Sequence, residues 1–122
     1  TCWGSGLVCR ELMHVDDLAE AAIFCLENWF PSEIDAPKDN SGIPLNYLNV
    51  GTGKDISIRE LAKKIAAIIK FDGEILWDKN MPDGTPRKVL DISRLKNLGW
   101  QSKIDLTSGL ANTINTLDIR NF

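Results

Sequence analysis

From Leu18 onward the apolar positions run Leu18, Ala21, Ala22, Cys25, Leu26 and Trp29. Steps of three and four place them on one stripe, which predicts a helix of about 13 residues after Asp16-Asp17. Either aspartate offers an oxygen to the free N–H groups at the helix start, and both suit the positive end of its dipole. Pro31 ends the helix. Residues 31 to 44 then carry Pro31, Pro37 and Pro44 among polar residues, a long solvated loop that reads as a variable insertion.

Leu45 to Val50 alternates loosely and runs into Gly51-Thr52-Gly53, which predicts a strand leaving a sheet into a turn. Ser57 and Glu60 have the spacing of a capping box, and the helix they open continues through Leu61, Ala62, Ile65, Ile68 and Ile69. Asp72-Gly73 turns the chain toward a short strand over 74–77. A loop from Asp78 to Lys88 follows, stiffened by Pro82 and Pro86. A short helix is predicted over 92–98, capped by Asp91 and stopped by Gly99, with Trp100 packing back over it. A last helix starts at Asp105 with Leu106, Leu110, Ile114 and Leu117 on one face. Strands alternating with helices make an α/β chain, but two or three short strands are too few for a self-sufficient doubly wound sheet.

At 122 residues the chain fits one domain, 1–122, with an ordinary globular composition of 43% apolar and 25% charged residues. A net charge of −3 argues against a general nucleic-acid or membrane-surface binder. No apolar run reaches the roughly 18 residues of a membrane span, and the first residues lack the order of a signal peptide. Cys2, Cys9 and Cys25 have no C-x-x-C spacing and read as reduced thiols, the habit of a cytoplasmic protein.

The candidate chemistry is narrow. Gly51-Thr52-Gly53 invites a dinucleotide reading, but the fingerprint needs a small residue where Ile56 stands, so a strand-to-helix turn is favoured. His14, Asp16 and Asp17 could be drawn as metal ligands, yet helix capping explains the aspartates and no second His exists; no metal is expected. Arg10 sits in an apolar stretch and must find an anion, either a ligand or a structural partner such as Glu11 or Asp91. Arg87-Lys88, on its stiff loop, can offer donors to phosphate oxygens or be plain surface charge. Trp3 and Trp77 can stack on a base or fill a core.

Trp3-Gly4-Ser5-Gly6 followed by Arg10-Glu11-Leu12-Met13-His14-Val15-Asp16-Asp17 resembles the start of the substrate domain in extended short-chain dehydrogenases acting on nucleotide sugars. Pro82-Asp83-Gly84-Thr85-Pro86-Arg87-Lys88, with Asn49-Val50-Gly51-Thr52-Gly53 and Leu98-Gly99-Trp100, narrows the resemblance to the GDP-L-fucose synthases, NADPH-dependent epimerase-reductases of GDP-4-keto-6-deoxymannose. The resemblance implies a small C-terminal substrate domain with few strands and about four helices, its N-terminal Rossmann domain lying outside this sequence. It implies that Arg10 holds the diphosphate or adjoining ribose, that Trp3 lines the pocket, that Asp83 and Lys88 contact the GDP-sugar, and that Arg87 lies near the phosphates. NADPH and the catalytic residues belong to the other domain; Tyr47 has no Lys four positions on, and Cys9 and His14 lie in the wrong motif to act as acid and base. Two departures from the family stand out, Leu7-Val8 where a proline is usual and Leu12 where Phe is usual.

The parent is expected to be a homodimer, and the isolated chain to self-associate through the apolar 18–29 helix if that helix normally packs on the other domain. Other nucleotide-sugar epimerases or dehydratases, and a non-catalytic nucleotide- or partner-binding module, remain the alternatives.

Overall fold

The computed structural model describes residues 1–117. Its helices follow from local chemistry. The Ser57 hydroxyl accepts the Glu60 N–H while the Glu60 carboxylate reaches back to the Ser57 N–H, so the expected capping box opens helix α2, Ile58–Ile68. Asp105 caps α4, Leu106–Thr116, by accepting from the N–H groups of Thr107 and Ser108. Two helices close in the same manner. In α3, Ser93–Asn97, Gly99 takes a positive φ of 108°, its N–H bonds to Lys96 O, and the Trp100 N–H returns to Leu95 O. This is a Schellman ending, and it throws Trp100 back onto Leu95, as the sequence suggested. α2 ends identically, with Phe71 N–H on Ala66 O, but there Lys70 rather than glycine holds the left-handed position at φ 54°.

Helix α1 spans Val15–Asn28 and stops before Pro31. Its cap differs from the expectation. His14 is the N-cap residue, and its Nδ1 accepts the Asp16 N–H at 3.3 Å. Asp16 points to solvent, whereas Asp17 is buried and accepts the N–H groups of Lys103 and Ile104 at 3.0–3.2 Å. The carboxylate expected to cap its own helix instead pins the segment leading into α4, because that segment passes within reach of its oxygens.

The core is small. Ala21, Leu95 and Trp100 form its centre, with Met13, Phe24, Cys25, Leu48 and Val50 packed around them. The expected stripe on α1 is therefore split. Ala21 and Cys25 turn inward, while Leu18 and Leu26 stay exposed alongside Val15 and Ile23.

The strands are short and form two sheets. β1, Cys2–Trp3, pairs in parallel with β4, Trp77–Asp78. β2, Cys9–Glu11, is the centre of a three-stranded sheet, antiparallel to β3, Asp55–Ser57, and parallel to β5, Arg87–Lys88. The strand expected over 45–50 is absent: Leu45 is buried by packing, but the segment forms no ladder, and β3 begins only beyond the Gly51-Thr52-Gly53 turn. The 31–44 loop is organised by Asp39, whose Oδ1 accepts the Ser41 and Ile43 N–H groups, and by one bridge between Lys38 and Pro44. No described helix is long and apolar enough to cross a membrane.

Candidate functional site

β2 is the hinge of the site because strand alternation sends its three side chains to opposite faces. Cys9 and Glu11 share one face and Arg10 takes the other. The parallel register sets Arg10 opposite Lys88 and Cys9 opposite Arg87, so Lys88 joins Arg10 while Arg87 joins Glu11.

Arg10 has no carboxylate partner among the described residues. Neither Glu11 nor Asp91, the two structural partners the sequence offered, reaches it. Its Nη1 donates to Cys9 O at 2.6 Å and Thr85 O at 2.7 Å, tying β2 to the 82–88 loop. Nη2 lies against Gly84, where a Cβ would come within 2.9 Å, so glycine makes room for the guanidinium. Its remaining donors and the exposed Lys88 ammonium make no hydrogen bond to the protein among the described residues. Two cations directly across a strand pair repel each other, and no counter-charge pairs with them among the described residues.

Arg87 is differently placed. Its guanidinium makes a forked ion pair with Asp55 of β3, across the back of β2. The hydrogen bond and charge of Arg87 hold the Asp55 carboxyl below the usual range, and Asp55 in turn raises Arg87. Asp83 is also engaged: its carboxylate accepts the Ser5 N–H at 2.8 Å and the Ser5 hydroxyl at 2.7 Å. This latch needs Gly4, at φ 77°, because a Cβ there would sit 2.4 Å from Asp83 Oδ1. Trp3 precedes the latch on β1, with 73% of its surface exposed. The structure thus sets Arg10 and Lys88 side by side, links Asp83 to the strand end that carries Trp3, and turns Arg87 to the other face.

The residue that sequence reasoning missed is Glu11. Its Oε1 accepts the N–H groups of Thr52 and Gly53 at 2.6 and 2.7 Å, and its Oε2 accepts the Leu90 N–H at 2.7 Å. One carboxylate therefore holds the glycine turn and the end of β5 to the central strand. A glutamate amid apolar residues was the available signal, but its partners are 41 and 79 positions away. It also settles the nature of the glycine turn. The N–H groups that would cradle a pyrophosphate already cradle Glu11, and a Cβ on Gly51 would meet Glu11 Oε1 at 2.4 Å. The turn does not fit the phosphates of a dinucleotide. On this face a cavity of about 610 Å³ opens, lined by Glu11, Met13, Val50, Gly51 and residues 87–90. That lies within the roughly 300–1,000 Å³ of small-molecule sites.

The Ser5 hydrogen bonds hold the Asp83 carboxyl below the usual range. A carboxyl lowered by folding contributes fully above its unfolded pKa, about 3.9, and loses that contribution as pH falls through the lowered value. The 82–88 loop should therefore stay latched from neutrality down to about pH 4 and release below it. The Ser5 amide shift followed by NMR reads this directly; a midpoint near pH 6 would contradict the assignment.

The two sheets and four helices have counterparts in solved enzymes. A GDP-6-OMe-4-keto-L-xylo-heptose reductase from C. jejuni superposes with a TM-score of 0.79 at 37% identity, covering 93% of this chain and 32% of that one. A GDP-mannoheptose C4 reductase from Campylobacter jejuni, solved with NADP bound, gives 0.73 at 35% identity, again with 93% of this chain and 32% of the other. The fold is that of one part of the extended short-chain dehydrogenases. By sequence the chain is similar to the GDP-L-fucose synthases: the Escherichia coli (strain K12) enzyme of that name is 47% identical over 111 residues, 91% of this chain and 33% of its own length. The chain spans about a third of the length of the curated relatives it matches. No family model matches it.

Proposed function

We propose that this chain is the C-terminal, substrate-binding domain, residues 1–122, of an NADPH-dependent 3,5-epimerase/4-reductase acting on GDP-4-keto-6-deoxymannose, in the manner of a GDP-L-fucose synthase. The observation that carries the reading is the uncompensated pair Arg10–Lys88, held side by side by the β2–β5 register and by the Arg10 bond to Thr85. A diphosphate bears about two negative charges at neutral pH and would relieve the repulsion that the fold leaves standing. Arg10 keeps free donors for a planar grip on phosphate oxygens, and Lys88 supplies a point charge. Trp3 lends an exposed aromatic surface beside the Asp83 latch. Asp83 and Arg87 serve the substrate by shaping the loop, and each must exchange its present partner to touch the ligand.

NADPH and the residues that move hydride and protons belong to the remainder of the parent enzyme; in support of this, the Gly51-Thr52-Gly53 turn here is filled by Glu11. Three free thiols suit a reducing, cytoplasmic setting.

Calorimetry of the chain with GDP, UDP and NADPH tests the reading: GDP should bind, NADPH should not. Arg10→Ala should weaken GDP by roughly 10- to 100-fold, the scale of about 1.5–3 kcal/mol for a charge-assisted hydrogen bond. Lys88→Gln should weaken it about tenfold without lowering the thermal midpoint, since it also relieves the repulsion from Arg10. No heat with any nucleotide would sink the proposal, and turnover of the completed enzyme only with a UDP- or dTDP-sugar would move it to a sibling epimerase or dehydratase.

The parent is taken to be a homodimer. The exposed row Val15, Leu18, Ile23 and Leu26 on α1 should make the isolated chain self-associate. Sedimentation of the wild type against Leu18→Glu/Leu26→Glu measures this, and a clean monomer for both would count against it.

A further inference from the structure

A second cavity, of about 260 Å³, lies outside the site above and shares none of its residues. It is lined by Arg59, Lys63, Ile75, Trp77 and Lys79. Among the described residues, three cations and no carboxylate line one small hollow in a chain whose net charge is −3. Such a cluster is costly to assemble unless an anion joins it.

The residues are fixed in place by the Gly4-Ser5-Gly6 turn that also latches Asp83. Arg59 is the second residue of α2; its backbone N–H bonds to Gly6 O, and its Nη2 donates to Ser5 O at 2.6 Å. Its guanidinium lies 5.4 Å from the centre of the Trp77 ring, within cation–π range. Gly6 packs so tightly on that ring that a Cβ would come within 2.6 Å. Arg59 Nε is buried without a hydrogen-bond partner among the described residues. Lys63 stands one helical turn beyond Arg59 on the same face, and Lys79 enters from the end of β4; both are exposed and make no ion pair among the described residues.

We infer that this hollow is a binding site for a small phosphate-type oxyanion, inorganic pyrophosphate or the terminal phosphate of a larger molecule, held by Arg59, Lys63 and Lys79. The volume lies below the roughly 300 Å³ at which whole small-molecule sites begin. The Trp77 ring is already covered by Gly6 and by the guanidinium, so it offers no platform to a nucleobase. The ligand is therefore recognised by its charge and its oxygens alone. The inference does not rest on the GDP-sugar reading.

Titration of the chain with inorganic pyrophosphate, followed by calorimetry and by Trp fluorescence, tests it. Lys63→Gln/Lys79→Gln should weaken binding at least about tenfold, since each removes one charge-assisted contact. Lys88→Gln should weaken only the pyrophosphate held on the Arg10–Lys88 face and leave the second binding event, the one that Lys63→Gln/Lys79→Gln weakens, unchanged, which separates the two sites. With Lys88→Gln weakening the Arg10–Lys88 face, GMP should bind no more tightly than inorganic phosphate, because the one aromatic ring of the hollow is already packed against Gly6 and the Arg59 guanidinium. An equal loss in the distant pair Lys54→Gln/Lys96→Gln would show a general charge effect and overturn the inference. So would a single binding event that survives Lys63→Gln/Lys79→Gln but disappears with Lys88→Gln.

Discussion

Replacing Glu11 by alanine should cost the chain about 3 kcal/mol of stability, because it strips the partner from three backbone N–H groups at once. Those of Thr52, Gly53 and Leu90 all end on this one carboxylate, at 2.6–2.7 Å. Each hydrogen bond to a charged acceptor contributes about 1.5–3 kcal/mol, and water entering the opened turn recovers part of the loss. Glu11→Gln offers a sharper comparison. Oε1 serves Thr52 and Gly53 while Oε2 serves Leu90, so an amide must turn its NH₂ toward one donor group or the other. It should lose about half as much as alanine. Urea unfolding of the two variants gives the order, and equal losses below about 0.5 kcal/mol would mean that the carboxylate is only a surface ornament. The effect reaches function as well. Leu90 lies two residues beyond β5, so freeing its N–H loosens the strand that places Lys88 opposite Arg10, and GDP affinity should fall with stability.

Asp17→Ala should be comparably damaging, by about 2–4 kcal/mol, while Asp16→Ala should stay within about 0.5 kcal/mol. Asp17 is 1% exposed and its oxygens take the N–H groups of Lys103 and Ile104. No ion pair neutralises it among the described residues. The N-terminal dipole of α1 and those two donors carry its charge instead. Alanine would leave both donors unpaired and release the segment that leads into α4. Asp16 has 77% of its side chain in solvent and only a 3.6 Å approach to His14 Nδ1. Thermal melts of the two single variants should therefore differ by far more than their adjacency suggests; similar melts would show that Asp17 is replaceable by water.

These two carboxylates show where sequence reasoning ends. Asp16 and Asp17 look alike as helix-start residues, and the sequence assigns the cap to either. In the fold His14 caps, Asp16 is solvated and Asp17 joins a segment 86 positions away. Arg10 was legible as an arginine in need of an anion, but its neighbours in space were not. The pairing with Lys88, the bond to Thr85 and the absence of Glu11 or Asp91 all depend on the parallel β2–β5 register. Arg87 and Lys88 are adjacent and similarly charged, yet strand alternation sends them to opposite faces, one to Asp55 and one to the candidate phosphate site.

The sequence by itself determined the local elements: the capping box at Ser57, the Asp105 cap, the Gly99 stop with Trp100 folded back, and the family resemblance carried by two contiguous motifs. All of these depend on residues within a few positions of one another, where backbone stereochemistry and hydrogen-bond reach leave few choices. Only the tertiary structure decided which polar groups meet across long separations: Glu11 with the glycine turn, Ser5 with Asp83, Asp17 with Lys103, and the basic hollow around Arg59. Such partners depend on strand register and on where a loop happens to pass, and neither leaves a periodic trace along the chain.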